Sequence, residues 1–350
     1  MPPPLTPEQL AALPHDDAGP RINGVVWSLT AISGIFLALR LYCKATRSKF
    51  WWDDWVLVAA WLAIFVNSVL VSLCINLGVG KHTWDFPLEN LVEMVRIYTA
   101  AGTLAVCASI WSKTSFALTI LRLAKGTAWL RGFVWFLIIS LNVFMGLTGL
   151  FNYIHCWPVN KLWDFASEGT CWPVDILINY DIFSAVYSGV VDVILALIPW
   201  KIVWGLQMRK KEKVGVVIAM SMGVFAGVTS FIKAYYMPRM TAPDIYDMID
   251  LNYWSNAEST VTIIAASIPV LRVFFNDVKK SVSSKQHYAS SSGRSEASKR
   301  SKLQQSGATT LVDDSELSWE GKMRILQTRQ IEVQVDEVET KPYGGGKFSL

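Results

Sequence analysis

The sequence predicts an all-α membrane protein: a bundle of seven transmembrane helices with the N-terminus outside, the C-terminus cytoplasmic and a disordered C-terminal tail. Three observations carry that expectation. The 350 residues are 52% hydrophobic and only 17% charged, against roughly 25% charged in ordinary soluble domains. The apolar residues gather in seven stretches of spanning length, and the basic residues gather in alternate connections between them. Seven spans of about 20 to 25 residues need roughly 140 to 175 mostly apolar positions, which this composition supplies. The same figures exclude a disordered chain, a disulfide-rich secreted scaffold and a nucleic-acid-binding domain. The net charge of +4 is too small to call for a polyanion partner.

Residues 1–21 form a Pro-rich polar tail with no basic segment before an apolar run, so they do not read as a cleaved signal peptide. The membrane domain, residues 22–276, holds the stretches Gly24–Tyr42, Trp55–Ile75, Ile97–Leu121, Phe133–Tyr153, Ile176–Val203, Val214–Tyr236 and Tyr253–Phe275. Each is long enough to span and sparse in charge. In hydrocarbon every backbone polar group needs a partner within the segment, so each is expected to be a helix. Pro199 is expected to kink or end the fifth and Pro269 to kink the seventh.

Lysine and arginine set the orientation. One set of connections holds Arg40, Lys44, Arg47 and Lys49, then Arg122, Lys125 and Arg131, then Lys201, Arg209, Lys210, Lys211 and Lys213, and then Arg272, Lys279, Lys280 and Lys285. The other holds Arg21, Lys81, Arg96, Lys161 and Arg239. The basic set is expected on the cytoplasmic side. Cys156 and Cys171 then share an outer loop in an oxidising space and are expected to pair, with Cys74 as the rival partner. Residues 277–350 read as a disordered cytoplasmic tail. Its first part is Ser-rich and basic and suits an anionic lipid surface, although a solvated, unregulated tail is an equal reading.

A set of short motifs runs through the membrane domain. Asp53-Asp54-Trp55 opens the second stretch, and Gly78-Val79-Gly80-Lys81-His82 closes it. Lys113 and Leu121-Arg122 follow, then Cys156-Trp157-Pro158, Trp163 and Cys171 in the outer loop. Asp192, Pro199, Gln207 and Arg209-Lys210-Lys211 come next, then Trp254-Ser255, Glu258 and Pro269-Val270-Leu271-Arg272. In order and spacing this resembles the fungal rhodopsin-domain family, heptahelical proteins related to the satratoxin-cluster membrane protein and to appressorium receptors of plant pathogens. The resemblance covers about Ile22 to Phe275. It implies seven helices, an outside N-terminus and a receptor-like role without an agreed ligand. Ser188 stands where members often have Asn, Lys233 stands where they often have Arg, and the Cys-rich outer domain of some members is absent.

Buried charge supplies the candidate sites, because an ionised group at a helix centre costs about 2.5 to 3.5 kcal/mol on insertion scales. Lys113 precedes Arg122 by nine residues, and Asp192 precedes Lys201 by nine. Both groups therefore lie about 13 Å above the same boundary. A Lys113–Asp192 ion pair is expected, either as a fixed tie between helices or as a switch broken on activation. Asp181, Lys233, Glu258 and Trp254 form a candidate outer ligand pocket. Trp84, Trp157, Trp163 and Trp172 join Trp254 as its floor or, alternatively, as an interfacial aromatic belt. Asp53 and Asp54 read as caps of the second helix.

No lysine lies in Tyr253–Phe275 to carry retinal, and none of the four histidines lies in a span. The sequence therefore predicts no enzyme, no cofactor and no metal. Its expected partners are the lipid bilayer, a small-molecule ligand and a cytoplasmic signalling partner at Arg209, Lys210 and Lys211. The expected role is receptor-like sensing of a small molecule or surface cue at the plasma membrane. A small-molecule transporter or a membrane accessory of a secondary-metabolite pathway is the alternative.

Overall fold

The apolar stretches close their backbone hydrogen bonds locally, and the result is a bundle of long helices. The computed structural model describes residues 13–47, 50–123, 128–164, 167–204, 210–241 and 244–271. Among these, seven long helices follow one another: α1 (Gly19–Arg47), α2 (Trp52–Leu77), α3 (Leu91–Leu123), α4 (Ala128–Ile154), α5 (Val174–Trp204), α6 (Lys210–Tyr236) and α7 (249–271). Short 3-10 turns fill the connections at one end, at Thr83–Asp85, Leu88–Asn90, Val159–Leu162, Met237–Thr241 and Ile245–Met248.

Helices α1 to α5 are long and apolar enough to cross a membrane. They turn large apolar side chains outward, among them Ile35, Trp55, Leu62, Phe136, Ile139 and Leu197. A soluble surface would not carry so wide an apolar belt. Inside, Leu57, Ile64, Phe116, Leu141, Leu195 and Ile263 build a common core.

Helix α7 carries more polar side chains than the other spans, among them Asn252, Asn256 and Glu258, and its position gives the reason. No residue of 249–271 is exposed, and Asn256, Glu258, Ser259, Thr260, Thr262 and Ser267 are buried. Helix α7 meets protein on all sides, so its polar groups find partners there rather than lipid. The α6 stretch carries Gly223 and Gly227 four residues apart. A Cβ on Gly223 would lie 2.7 Å from the Ala196 Cβ, and one on Gly227 would lie 2.8 Å from Val193 and 3.1 Å from the Gly189 carbonyl. Missing side chains thus let α5 and α6 approach closely.

Pro199 does not end α5, which continues to Trp204. The helix at Pro269 continues to residue 271. Proline offers no N–H to the carbonyl four residues back, Ala265; the neighbouring Ala266 carbonyl accepts from Arg40.

At the end opposite Arg40, two devices hold the connections. Cys156 pairs with Cys171 in a disulfide inside a two-stranded antiparallel ladder, β1 (Cys156–Trp157) with β2 (Thr170–Cys171). The rival Cys74 is a free, buried thiol. The Arg96 guanidinium lies 5.1 Å over the Trp163 ring and ties this hairpin to α3. The turn after α2 needs glycine twice: Gly78 and Gly80 have φ of 121° and 107°. The Gly80 carbonyl accepts from the Ala18 N–H at 2.9 Å, which pins the turn to the start of α1. The expected tail, residues 277–350, lies outside the described residues, as does Arg209; so do the side chains of Lys210 and Lys211.

Candidate functional site

Four buried ionised side chains from four helices meet in the middle of the bundle. Lys113 on α3 is fully enclosed. Its Nζ lies 2.5 Å from Asp192 Oδ2 on α5 and 2.7 Å from Glu258 Oε1 on α7. It also donates to the Ser188 hydroxyl. Glu258 Oε2 accepts from Lys233 Nζ on α6 at 3.0 Å. Ser109 and Ser188 donate to Glu258 Oε1 at 3.0 and 3.2 Å, and Ser230 donates to Asp192 Oδ2 at 3.4 Å. Two ammoniums and two carboxylates cancel. Hydroxyls from neighbouring turns take up the remaining lone pairs, which is what a low-dielectric interior demands of buried charge.

The nine-residue register that places Lys113 and Asp192 at equal depth is matched by their direct contact. The sequence places Glu258 and Lys233 in a candidate outer pocket; in the structure both extend the same chain, in the order Asp192, Lys113, Glu258, Lys233, and Lys233 also lines the cavity described next. Ser188 touches both Lys113 and Glu258.

Above this chain, toward the disulfide end, lies a cavity of about 220 Å³. Asp181 and Lys233 line it, together with Asn67, Tyr98, Asn252 and Asn256. The hairpin contributes His155 and Leu162, and three methionines, Met145, Met237 and Met240, line the cavity as well. Glu258 and Trp254 do not line it, nor do Trp84, Trp157, Trp163 and Trp172, so the expected tryptophan floor is absent. Trp157 faces outward, and Trp84 stacks on His82. The floor is made of amides and hydroxyls because α7 runs beneath it. Asn67 donates to Asn256 at 3.0 Å, and Asn252 donates to the Tyr98 hydroxyl at 3.2 Å.

Sequence reasoning missed a second buried cluster, at the opposite end. The charge pattern places Arg40 and Lys44 among the connections, yet both lie in α1 and are buried. Arg40 binds Asp53 Oδ2 at 2.6 Å and Asp54 Oδ1 at 3.0 Å. Lys44 binds Asp53 at 2.9 Å and Asp54 at 2.6 Å. Asp54 also accepts from the Trp51 N–H at 3.2 Å, so its capping role is combined with pairing. The available signal was two bases four residues apart, on one face of α1, followed by an Asp pair opening α2.

A third cluster sits outside the spans. His82 Nδ1 lies 2.6 Å from Asp244 Oδ2, and the ring stacks between Trp84 and Tyr246. Burial pushes the Asp244 carboxyl up. Hydrogen bonds from His82 and from the Tyr246 and Thr83 amides outweigh that and hold it below the usual carboxylate range. The pair joins the α2–α3 connection to the α6–α7 connection. Among the described residues no group of His, Cys, Asp or Glu is arranged to hold a metal ion.

Comparison with known proteins adds the lineage. Residues 39–277, more than half of the chain, match the fungal rhodopsin domain. The chain belongs to that family. Fungal rhodopsin-domain relatives include the polyenoic acids biosynthesis gene cluster protein Ba17b of Metarhizium anisopliae, 24% identical over 73% of each chain. The fugralins biosynthesis cluster protein 2 of Gibberella zeae is 23% identical over 69% of this chain and 61% of its own length. A SAT4 family membrane protein of Emericella nidulans is 27% identical over 57% of this chain and half of its own. No solved structure matches. Family and apolar helices together make this an integral, multi-pass membrane protein of the fungal rhodopsin type.

Proposed function

We propose that this protein is receptor-like and senses a small molecule or surface cue from the outer side of the plasma membrane. One observation carries the reading. Lys233 lines the cavity and also holds Glu258, which holds Lys113. A ligand that draws the Lys233 ammonium toward itself leaves Glu258 to Lys113 alone and changes the balance with Asp192. Occupancy of the cavity is thereby coupled to the contacts of α3, α5, α6 and α7, an arrangement with two discrete states. The lysine and arginine asymmetry of the connections supports an outside N-terminus, which puts the cavity outside and the Arg209–Lys211 segment on the cytoplasmic side as the partner site. The reading assigns no enzymatic step, and with no lysine in residues 249–271 it is not light sensing through retinal.

The test is a thermal-shift screen of fungal metabolites on the purified protein, with Glu258→Gln run beside wild type. A compound that raises the midpoint of wild type and not of Glu258→Gln is the expected outcome. Equal responses of both proteins to every compound would sink the coupling.

A second reading is a transporter or membrane accessory of a secondary-metabolite pathway. Two relatives carry names of biosynthesis clusters, and charge is buried on four helices around the cavity. Uptake by proteoliposomes that vanishes with Asp192→Asn would favour transport over sensing.

A further inference from the structure

A second cavity, of about 350 Å³, lies at the opposite end of the bundle, where α2 begins, α3 ends and α4 begins. Its polar wall is Arg122 and Arg131. Trp51 and Trp52 flank it, and Leu118 and Leu121 continue the wall toward the membrane interior. The tryptophans mark the depth, since indoles favour the headgroup level of a bilayer. Trp52 is 81% exposed.

The charges around this cavity do not cancel. Arg40, Lys44, Arg122 and Arg131 outnumber Asp53 and Asp54, and both carboxylates are already engaged by Arg40 and Lys44 at 2.6 to 3.0 Å. Asp53 also reaches the cavity floor, but Arg122 approaches it only to 4.0 Å, with its side chain 42% exposed. Arg131 is exposed and has no ion pair among the described residues. Two guanidiniums are left facing one groove at the edge of hydrocarbon. Guanidinium forks match phosphate oxygens in geometry as well as charge.

We propose that this groove binds the headgroup of an anionic phospholipid, with the phosphate between Arg122 and Arg131 and an acyl chain along Leu118 and Leu121. A zwitterionic headgroup fits less well. Its choline would meet the two arginines, and the Trp51 ring that could receive it is covered by the Arg122 guanidinium at 4.8 Å. The site is independent of the cavity at the other end and of any ligand there.

Native mass spectrometry of the full chain in detergent tests this. Dioctanoyl phosphatidic acid is titrated against dioctanoyl phosphatidylcholine, with inorganic phosphate as competitor. Wild type is expected to favour the anionic lipid, and Arg131→Gln to weaken that lipid about fivefold. Arg122→Gln/Arg131→Gln is expected to abolish the preference. Arg131 is exposed, so its single variant keeps the fold and carries the test should the double variant not purify. Equal binding of the two lipids by wild type would overturn the site, and so would an Arg131→Gln protein that binds as wild type does. Displacement by equimolar inorganic phosphate would overturn the lipid assignment in favour of a bare anion. Arg239→Gln, at the other end, is expected to change nothing; an equal loss there would mean diffuse charge and no built site.

Discussion

The two buried charge clusters solve one problem in opposite ways. At the Arg40 end, the partners come from adjoining helices, and Arg40 lies 13 and 14 residues from Asp53 and Asp54. Each carboxylate receives both bases, and Arg40 adds contacts to Thr119 and to the Ala266 carbonyl. In the middle of the bundle the partners are 25 to 149 residues apart, and one carboxylate, Glu258, is shared between two lysines on different helices. The first cluster is local and saturated. The second is distributed. Each has a member in the wall of a cavity, but Asp53 is held by two bases and Lys233 by a single carboxylate. Neutrality together with filled hydrogen bonds makes buried charge tolerable, while a singly held member at a cavity wall is the one that can respond to a ligand.

The largest effect is expected at the saturated end. Arg40→Ala leaves two buried carboxylates with Lys44 alone and frees the Ala266 carbonyl. It should cost about 3 to 5 kcal/mol and show as a collapse of folded yield in detergent or a large fall in thermal midpoint. Arg40→Lys should rescue little, since an ammonium cannot reproduce the fork that reaches several acceptors. Near-normal stability of Arg40→Ala would erase the distinction between the two clusters.

Next comes the distributed cluster. Lys113→Met alone should be destabilising by a similar about 3 kcal/mol, because it strands Asp192. Adding Asp192→Asn restores neutrality and leaves the Glu258–Lys233 pair intact. The double variant should recover at least half of the loss in a thermal melt. Strict additivity of the two substitutions would show that the cluster is not a coupled unit.

Asp244 gives a smaller, pH-dependent effect. Its folded pKa is depressed, so its stabilisation is full above the unfolded value of about 3.9 and is lost as pH falls through the lower folded value. Wild type should lose its advantage over Asp244→Asn as pH drops below about 4, read from midpoints across an acid series. A constant difference down to the lowest pH would contradict the assignment.

The smallest effect on stability is expected at Asp181. It lines the cavity and stands outside the chain of ion pairs. Asp181→Asn should move stability by no more than about 0.5 kcal/mol while altering the response to any compound that raises the wild-type midpoint. A large loss of stability would place Asp181 among the structural charges.

Much of this was legible in the chain. Apolar length is a local property, so the helices could be read from residues alone, although α1 starts at Gly19 and α3 at Leu91, several residues before their apolar stretches. Equal depth brought Lys113 and Asp192 together on paper because helix rise is constant. The Cys156–Cys171 pair followed from sharing one loop. The role of Glu258 was not legible, since depth says nothing about which way a helix face turns. The burial of Arg40 and Lys44 is hidden from the sequence for a related reason. A basic residue at the end of an apolar stretch looks the same whether it reaches water or folds back onto an Asp pair.

Composition and charge placement, acting through hydrocarbon's intolerance of unpaired backbone, were enough by themselves to determine an all-helical, multi-pass membrane chain with a braced loop. The packing of α7 at the centre, the rotation of each helix about its axis and the glycine-mediated approach of α5 to α6 were decided only in three dimensions. Side-chain pairing across helices depends on those rotations, and rotation is set by contacts between distant segments rather than by the period of any one of them.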